Sequence, residues 1–243
     1  MIPKRHNSGF LAKSEARALD ILVGRLPAWM SPDRLTTLGM LGALLGAIGF
    51  GMGLADLTSL GLVILGMVMN WFGDSLDGRL ARHRHIERKI QGFILDNGFD
   101  LLSYLLLALG FAVSGLVWPA IPFILLALYV MLSNLALARM LITGVHELAV
   151  GKVGTSEVRV GFLLVAVMIY AAPMVFFYRI PLLDLTVLDF MSLLWACLLL
   201  YGFAQVFRAD LRSAGRADAR TRAEALPPVA SSVAPPVASL GGH

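Results

Sequence analysis

Charge is scarce in this chain. Of its 243 residues only 15% are Asp, Glu, Lys or Arg, while 58% are hydrophobic and the mean hydropathy is +0.77. Soluble domains carry about 25% charged and about 45–50% apolar residues, so this balance excludes an ordinary soluble domain and points to a membrane protein. Cysteine is nearly absent as well. Cys197 stands alone in an apolar run, which excludes an intramolecular disulfide framework and reads as a small buried hydrophobe rather than a nucleophile. The five histidines form no Cys/His set at zinc-ligand spacing; His83 and His85 alternate with arginines and read as solvated or phosphate-facing. Met1–Arg34 has no continuous apolar core and no small-residue cleavage site, so no secretory leader is expected. No period marks internal repeats.

Long apolar runs are what the sequence does have. A helix needs about 20 mostly apolar residues to cross a bilayer. Six segments qualify: Leu35–Leu54, Leu57–Gly73, Gly92–Gly115, Pro119–Ile142, Val160–Phe177 and Val187–Phe207. The expected fold class is therefore all-α, a polytopic membrane protein with six transmembrane helices and an N-terminal amphipathic interfacial helix. That helix is read over Leu11–Leu26, where Leu11, Ala18, Leu19, Leu22 and Leu26 fall at helical spacing among Lys13, Arg17 and Arg25. Pro32 and Asp33 suit the first turn of the first span. Within that span Gly42, Gly46, Gly49 and Gly53 form small-xxx-small patterns that permit close packing, first within the chain and second across a homodimer. The expected organisation is a cytoplasmic N-terminal segment over 1–34, a six-helix membrane domain over 35–207 and a cytoplasmic tail over 208–243. The tail is Arg/Ala-rich, then Pro/Ala/Ser/Val-rich, and is expected to be disordered.

Charge placement tests the span count. Nineteen of the twenty Lys/Arg fall on one side of a six-span arrangement, and only Arg179 falls on the other. The positive-inside rule puts that basic side, with both termini, in the cytoplasm. The expected setting is the inner membrane of a bacterium, with no nucleic-acid partner.

Four carboxylates interrupt the apolar runs on that same side. Asp74 and Asp77 are three apart at the end of one span, and Asp96 and Asp100 four apart at the start of the next. On helices each pair shares a face, and the short basic segment between them lets the pairs converge. Converging carboxylates repel strongly in a low dielectric and stay ionised only beside Arg/Lys or metal. Oxygen ligands alone favour a hard ion, Mg²⁺ or Mn²⁺, and this many carboxylates can hold two. Gly78 and Gly92 leave room for a ligand beside the helices, and Arg82 can face a phosphate. The plainer reading has the aspartates capping helices or pairing with Arg79, Arg82, Arg84 and Arg88. Ionisable residues inside membrane segments favour the functional reading.

Asp74-x-x-Asp77-Gly78-x-x-Ala81-Arg82, nine residues, then Gly92-x-x-x-Asp96-x-x-x-Asp100 resembles the signature of the CDP-alcohol phosphotransferases, with all eight fixed positions filled. The stretch Ser31–Gly39 resembles the Pro-x-x-Leu-Thr opening of that family's first span. The resemblance implies that 35–207 is the catalytic domain of an enzyme of phospholipid biosynthesis. Such an enzyme moves a substituted phosphoryl group from a CDP-alcohol to an acceptor hydroxyl, one of the two being a lipid, and releases CMP. It also implies Asp74, Asp77 and Asp96 as metal ligands, Asp100 as general base and a further ligand, and Gly78, Ala81, Arg82 and Gly92 at the CDP site. The donor is expected to be either CDP-diacylglycerol or a CDP-amino alcohol. "LDNGFD" is similar to a form used with amino alcohols, but Asn97 stands where that branch has histidine. Arg139, Lys152, Glu157 and Arg159 are candidates for the acceptor or head group, or else ordinary loop residues. Two rival classes are a divalent-cation channel or transporter, which leaves Gly78, Ala81–Arg82 and Gly92 unexplained, and a structural protein whose basic loops bind anionic lipid, which leaves the carboxylates unexplained.

Overall fold

This computed structural model describes residues 4–6, 12–53, 55–143, 145–147, 149–150, 153–154, 163–164, 166–181 and 184–225. The helices are α1 (Ala12–Arg25), α2 (Pro32–Gly51), α3 (Leu60–His83), α4 (Lys89–Val113), α5 (Ala120–Thr143), the short α6 (Pro173–Phe176) and α7 (Val187–Ala225). Strands of two or three residues pair Lys4–His6 with Val145–Glu147, Ala149–Val150 with Val153–Gly154, and Arg179–Ile180 with Leu185–Thr186. The all-α expectation holds. Among the described residues five helices are long and apolar enough to cross a membrane: Pro32–Gly51, Leu57–His83, Lys89–Val113, Ala120–Thr143 and Val187–Ala219. They account for five of the six expected spans. Of the remaining one, Val160–Phe177, residues 166–171 and Pro173–Phe176 are helical, and most of its start lies outside the described residues.

Local chemistry explains where the helices start and stop. Ser31 caps α2, its Oγ accepting from the Arg34 N–H at 3.2 Å, with Pro32 and Asp33 in the first turn as expected. After α3 the chain turns through His85 at φ 57°, and Ile86 N–H donates to the Ala81 carbonyl at 3.0 Å. This closes the helix end with a left-handed residue that is normally glycine. Only Arg84–Arg88 then separate α3 from α4, so the two run in opposite senses.

The chain divides into two compact units, Met1–Val206 and Phe207–His243. Where disorder is expected from residue 208, α7 instead runs to Ala225. Alanine and arginine are strong helix formers, and Asp218 and Arg222 sit four apart, which outweighs the low hydrophobicity over this stretch. Residues 226–243, where proline first appears, lie outside the described residues. Cys197 is exposed on α7 rather than buried, because that span presents this side outward.

Helix α1 forms where the amphipathic pattern predicts it, but its apolar stripe packs on protein. Leu19 and Val23 are buried with Leu35, Leu76 and Leu80, and Leu22 and Leu26 pack against that cluster. Leu11 lies outside the described residues. A second cluster, which includes Leu60, Val63, Leu116, Ile169 and Leu188, occupies the other end of the spans.

Between the clusters α2 packs on both α3 and α4 through a seam of glycines. A Cβ on Gly42 would stand 2.5 Å from the Asn70 nitrogen and 2.6 Å from the Gly66 carbonyl, and one on Gly66 would meet Gly42 and Gly46 backbone at 2.5 Å. Gly73 lies against the Leu35 carbonyl and the Gly39 nitrogen. On the α4 side Gly110 abuts Ala47 backbone, and Gly46 faces Leu107. The small-residue pattern thus serves contact within the chain. Two stability outcomes follow. Gly73→Ala should cost about 1–3 kcal/mol through overpacking, read as a lower unfolding temperature in detergent. His85→Gly should instead stabilise by about 1 kcal/mol by relieving the left-handed strain.

Candidate active site

The tight α2–α3 contact and the opposed run of α4 bring three helices around one recess. Its walls are Thr36, Gly39 and Met40 from α2, Asn70, Asp74 and Asp77 from α3, and Asp96, Phe99, Asp100 and Ser103 from α4. All four sequence-predicted aspartates therefore line the same space. None of them caps a helix; each lies inside α3 or α4.

Three polar residues that the motif does not contain complete the lining. Thr36 Oγ1 donates to Asp77 Oδ2 at 2.7 Å, and the Gly78 N–H donates to Asp77 Oδ1, so both oxygens of this carboxylate are oriented. Asn70 Nδ2 reaches the Gly39 carbonyl at 3.1 Å and Ser103 Oγ at 3.3 Å, tying α3 to both of its neighbours in the recess. Ser103 is 5% exposed. Sequence signals for these residues exist but are faint. Thr36 stands in the Pro-x-x-Leu-Thr opening of its span, and Asn70 is a lone amide one turn before Asp74 in an apolar run.

The basic loop points elsewhere. Arg79 pairs with Asp20 of α1 at 2.7 Å, and Arg88 pairs with Asp33. Arg84 donates to the carbonyls of Pro27, at 3.0 Å, Ala28, at 3.4 Å, and Met30, while Arg34 takes the Trp29 carbonyl. Every carbonyl of the Pro27–Met30 turn is thus held by an arginine. With Trp71 Nε1 donating to Glu15 at 3.0 Å, these bonds fasten α1 and the start of α2 to the end of α3 that carries the aspartates. The reading in which the aspartates merely neutralise the loop arginines fails for Arg79, Arg84 and Arg88.

The other candidate residues are placed as follows. Gly78, Ala81 and Arg82 lie on the last turns of α3, just past Asp77, and do not line the recess. Arg82 folds back so that its Nη1 is 3.6 Å from where a Gly78 Cβ would stand, ordinary contact that an alanine would tolerate. Gly92 lies one turn before Asp96 with nothing within 4 Å of a Cβ position. Asn97 donates to its own helix at the Phe93 carbonyl, 2.8 Å, and is not among the lining residues. Arg139 is half-buried in α5, where its carbonyl accepts from Thr143 Oγ1 at 2.9 Å. Lys152, Glu157 and Arg159 lie outside the described residues.

Among the described residues no three His, Cys, Asp or Glu side chains converge closely enough to hold a metal ion. The recess is nonetheless rich in oxygen donors, four carboxylates joined by the Thr36 and Ser103 hydroxyls and the Asn70 amide, beside the Met40 thioether. That composition fits a hard divalent cation in kind.

Apolar spans that gather carboxylates at one recess define an all-α, multi-pass membrane protein with a polar site inside its helix bundle. The chain belongs to the CDP-alcohol phosphatidyltransferase family, whose defining pattern matches residues 29–202. Membership makes it a transferase of phospholipid biosynthesis. No curated protein matches the chain. Helix α1 and the part of α7 beyond residue 202 fall outside the family match.

The fastening of α1 is directly testable. A hydrogen bond to a charged group contributes about 1.5–3 kcal/mol, and Arg84 makes several. Arg84→Gln should therefore raise amide exchange over residues 27–36 and lower the unfolding temperature. Arg88→Gln, which removes one more exposed ion pair, should change both far less.

Proposed function

We propose that the chain catalyses metal-dependent transfer of a substituted phosphoryl group from a CDP-alcohol to an acceptor hydroxyl, with release of CMP. The single observation that carries this reading is the recess on which Asp74, Asp77, Asp96 and Asp100 all open. Family membership supplies the reaction class. Asp74, Asp77 and Asp96 would hold Mg²⁺ or Mn²⁺, two ions in this reading, with Asp100 as a further ligand. When bound, the ions would neutralise the diphosphate and stabilise CMP as leaving group.

The chain's own residues do the rest. Asp100 accepts the proton of the attacking hydroxyl as its oxygen bonds to the transferred phosphorus, while the bond from that phosphorus to CMP breaks. Thr36 and the Gly78 N–H hold Asp77 in one orientation. Gly78, Ala81, Arg82 and Gly92 form the nucleotide side. Gly78 and Gly92 support this, because packing does not demand glycine at either position, unlike Gly42, Gly66 and Gly73. A missing side chain that protein packing does not use is available to a ligand. Arg139, with Lys152, Glu157 and Arg159, is assigned to the acceptor or head group. In this reading the site and both termini face the cytoplasm, and α1 lies at the membrane interface.

The test is CMP release by purified protein from labelled CDP-diacylglycerol, then from CDP-choline and CDP-ethanolamine, each with a panel of hydroxyl acceptors. Chelation of divalent metal should abolish release, and readdition of Mg²⁺ or Mn²⁺ should restore it. Asp100→Asn should lose about 10²–10⁴-fold in rate, the scale of a general base, with the protein still folded. Intact turnover in Asp100→Asn and Asp77→Asn would refute the proposal, as would metal flux into proteoliposomes without CMP formation. Gly92→Ala should gain about 0.5–1 kcal/mol of helix stability yet raise KM for the donor, a split that packing alone does not produce.

A further inference from the structure

The carboxylates are not the deepest polar groups in the recess. Asn70 stands one turn before Asp74 on α3, and Ser103 one turn after Asp100 on α4. Their mutual hydrogen bond, Asn70 Nδ2 to Ser103 Oγ at 3.3 Å, makes a neutral rung below the four aspartates, toward the middle of the spans. Each half of this rung keeps a hydrogen-bonding function that the protein does not use well. The Gly39 carbonyl can only accept, so the amide must turn its nitrogen to it, which fixes the orientation of Asn70. Both N–H groups are then engaged, with Gly39 and with Ser103, and among the described residues nothing donates to Asn70 Oδ1. Ser103 Oγ gives its own proton only to Met40 Sδ at 3.5 Å, a weak acceptor, although Ser103 is 5% exposed. A hydroxyl buried that deeply ordinarily has an oxygen or nitrogen partner.

An oxygen acceptor beside a hydroxyl donor selects for chemistry. Phosphates, carboxylates and ester carbonyls only accept and an ammonium only donates, whereas a hydroxyl does both at one atom. Asn70 is no base, so a hydroxyl held on the rung keeps its proton and cannot be the one that Asp100 deprotonates. One turn of helix, about 5–6 Å between side-chain origins, separates the rung from Asp100. That distance suits two hydroxyls on neighbouring carbons of one molecule. The nucleotide residues Gly78, Ala81, Arg82 and Gly92 lie on the opposite, loop side of the carboxylates, and the diacylglycerol part of a donor has no free hydroxyl. We propose that Asn70 Oδ1 and the Ser103 hydroxyl hold a second hydroxyl of the acceptor, next to the attacking one, and so select a polyol. This rests on the reaction proposed above and names the acceptor class for it.

The experiment measures CMP release by purified full-length protein from CDP-diacylglycerol. The acceptors are glycerol 3-phosphate and inositol, each beside the analogue that lacks the hydroxyl next to the attacking one. The wild-type KM should rise about tenfold for the deoxy analogue, the scale of two neutral hydrogen bonds. In Ser103→Ala that ratio should fall to about threefold while the donor KM stays the same, and Ser103→Thr should restore it. Should Ser103→Ala fail to fold, Ser103→Cys, which keeps the atom count and weakens the donor, should lower the ratio in the same direction. Ser59→Ala is the control for packing. It removes a comparably buried hydroxyl, bound to the Gly49 carbonyl at 2.8 Å at the other end of α3, and should lower the unfolding temperature without moving the ratio. A ratio unchanged by Ser103→Ala would overturn the proposal and leave the reaction standing, as would turnover confined to serine or diacylglycerol as acceptor. A loss that instead follows 2′-deoxy-CDP-diacylglycerol would give the rung to the donor ribose and overturn it too. No CMP release from any donor by the wild type would remove the reaction and the subsite together.

Discussion

Backbone against backbone, α2 on α3, is the contact on which the rest of the structure depends. Lipid offers apolar side chains as good a solvent as other helices do, so helices in a membrane associate through close packing and interhelical hydrogen bonds. Gly42, Gly66 and Gly73 let the two helices approach until no Cβ fits between them. At that separation the Asn70 amide reaches the Gly39 carbonyl, and the Thr36 hydroxyl reaches Asp77. The glycines are structural, yet their consequence is the geometry of a carboxylate.

The same seam explains why the aspartate pairs meet. A short loop sets α3 and α4 running in opposite senses, but α2 is the surface that both pack against. Gly110 on Ala47 settles α4 there, and the recess opens where the three helices come together at the aspartate-bearing end. The loop arginines, which could have quenched the carboxylates, are largely engaged with α1 and the turn that follows it. Arg84 saturates carbonyls that would otherwise be exposed peptide acceptors, and Arg79 takes Asp20. Charge neutralisation and the carboxylate recess are thereby kept apart along one stretch of chain.

Much of this was legible in the residues. Apolar runs of span length mark the membrane helices because a bilayer demands them, and the three- and four-residue aspartate spacings mark shared helix faces because the helix period demands it. Thr36, Asn70 and Ser103 were much less legible as parts of the site. Their relevance depends on contacts between residues 31 to 41 positions apart, which no local period encodes. The stretch after residue 207 misleads in the opposite direction: low hydrophobicity suggests disorder, while helix propensity carries α7 to Ala225. Helix α1 was recognisable by its stripe, but a stripe does not say whether lipid or protein covers it, and here Leu35, Leu76 and Leu80 do.

By itself, then, the sequence determined the class of fold, the reaction family and the four carboxylates, because length, hydropathy and a spaced motif are properties of a chain read in order. Only the tertiary structure decided which face of α2 the aspartates open toward, which hydroxyl orients Asp77, and that three of the loop arginines turn away from the site. Those are outcomes of packing, where glycine at the seam sets a distance and distance decides which polar groups can meet.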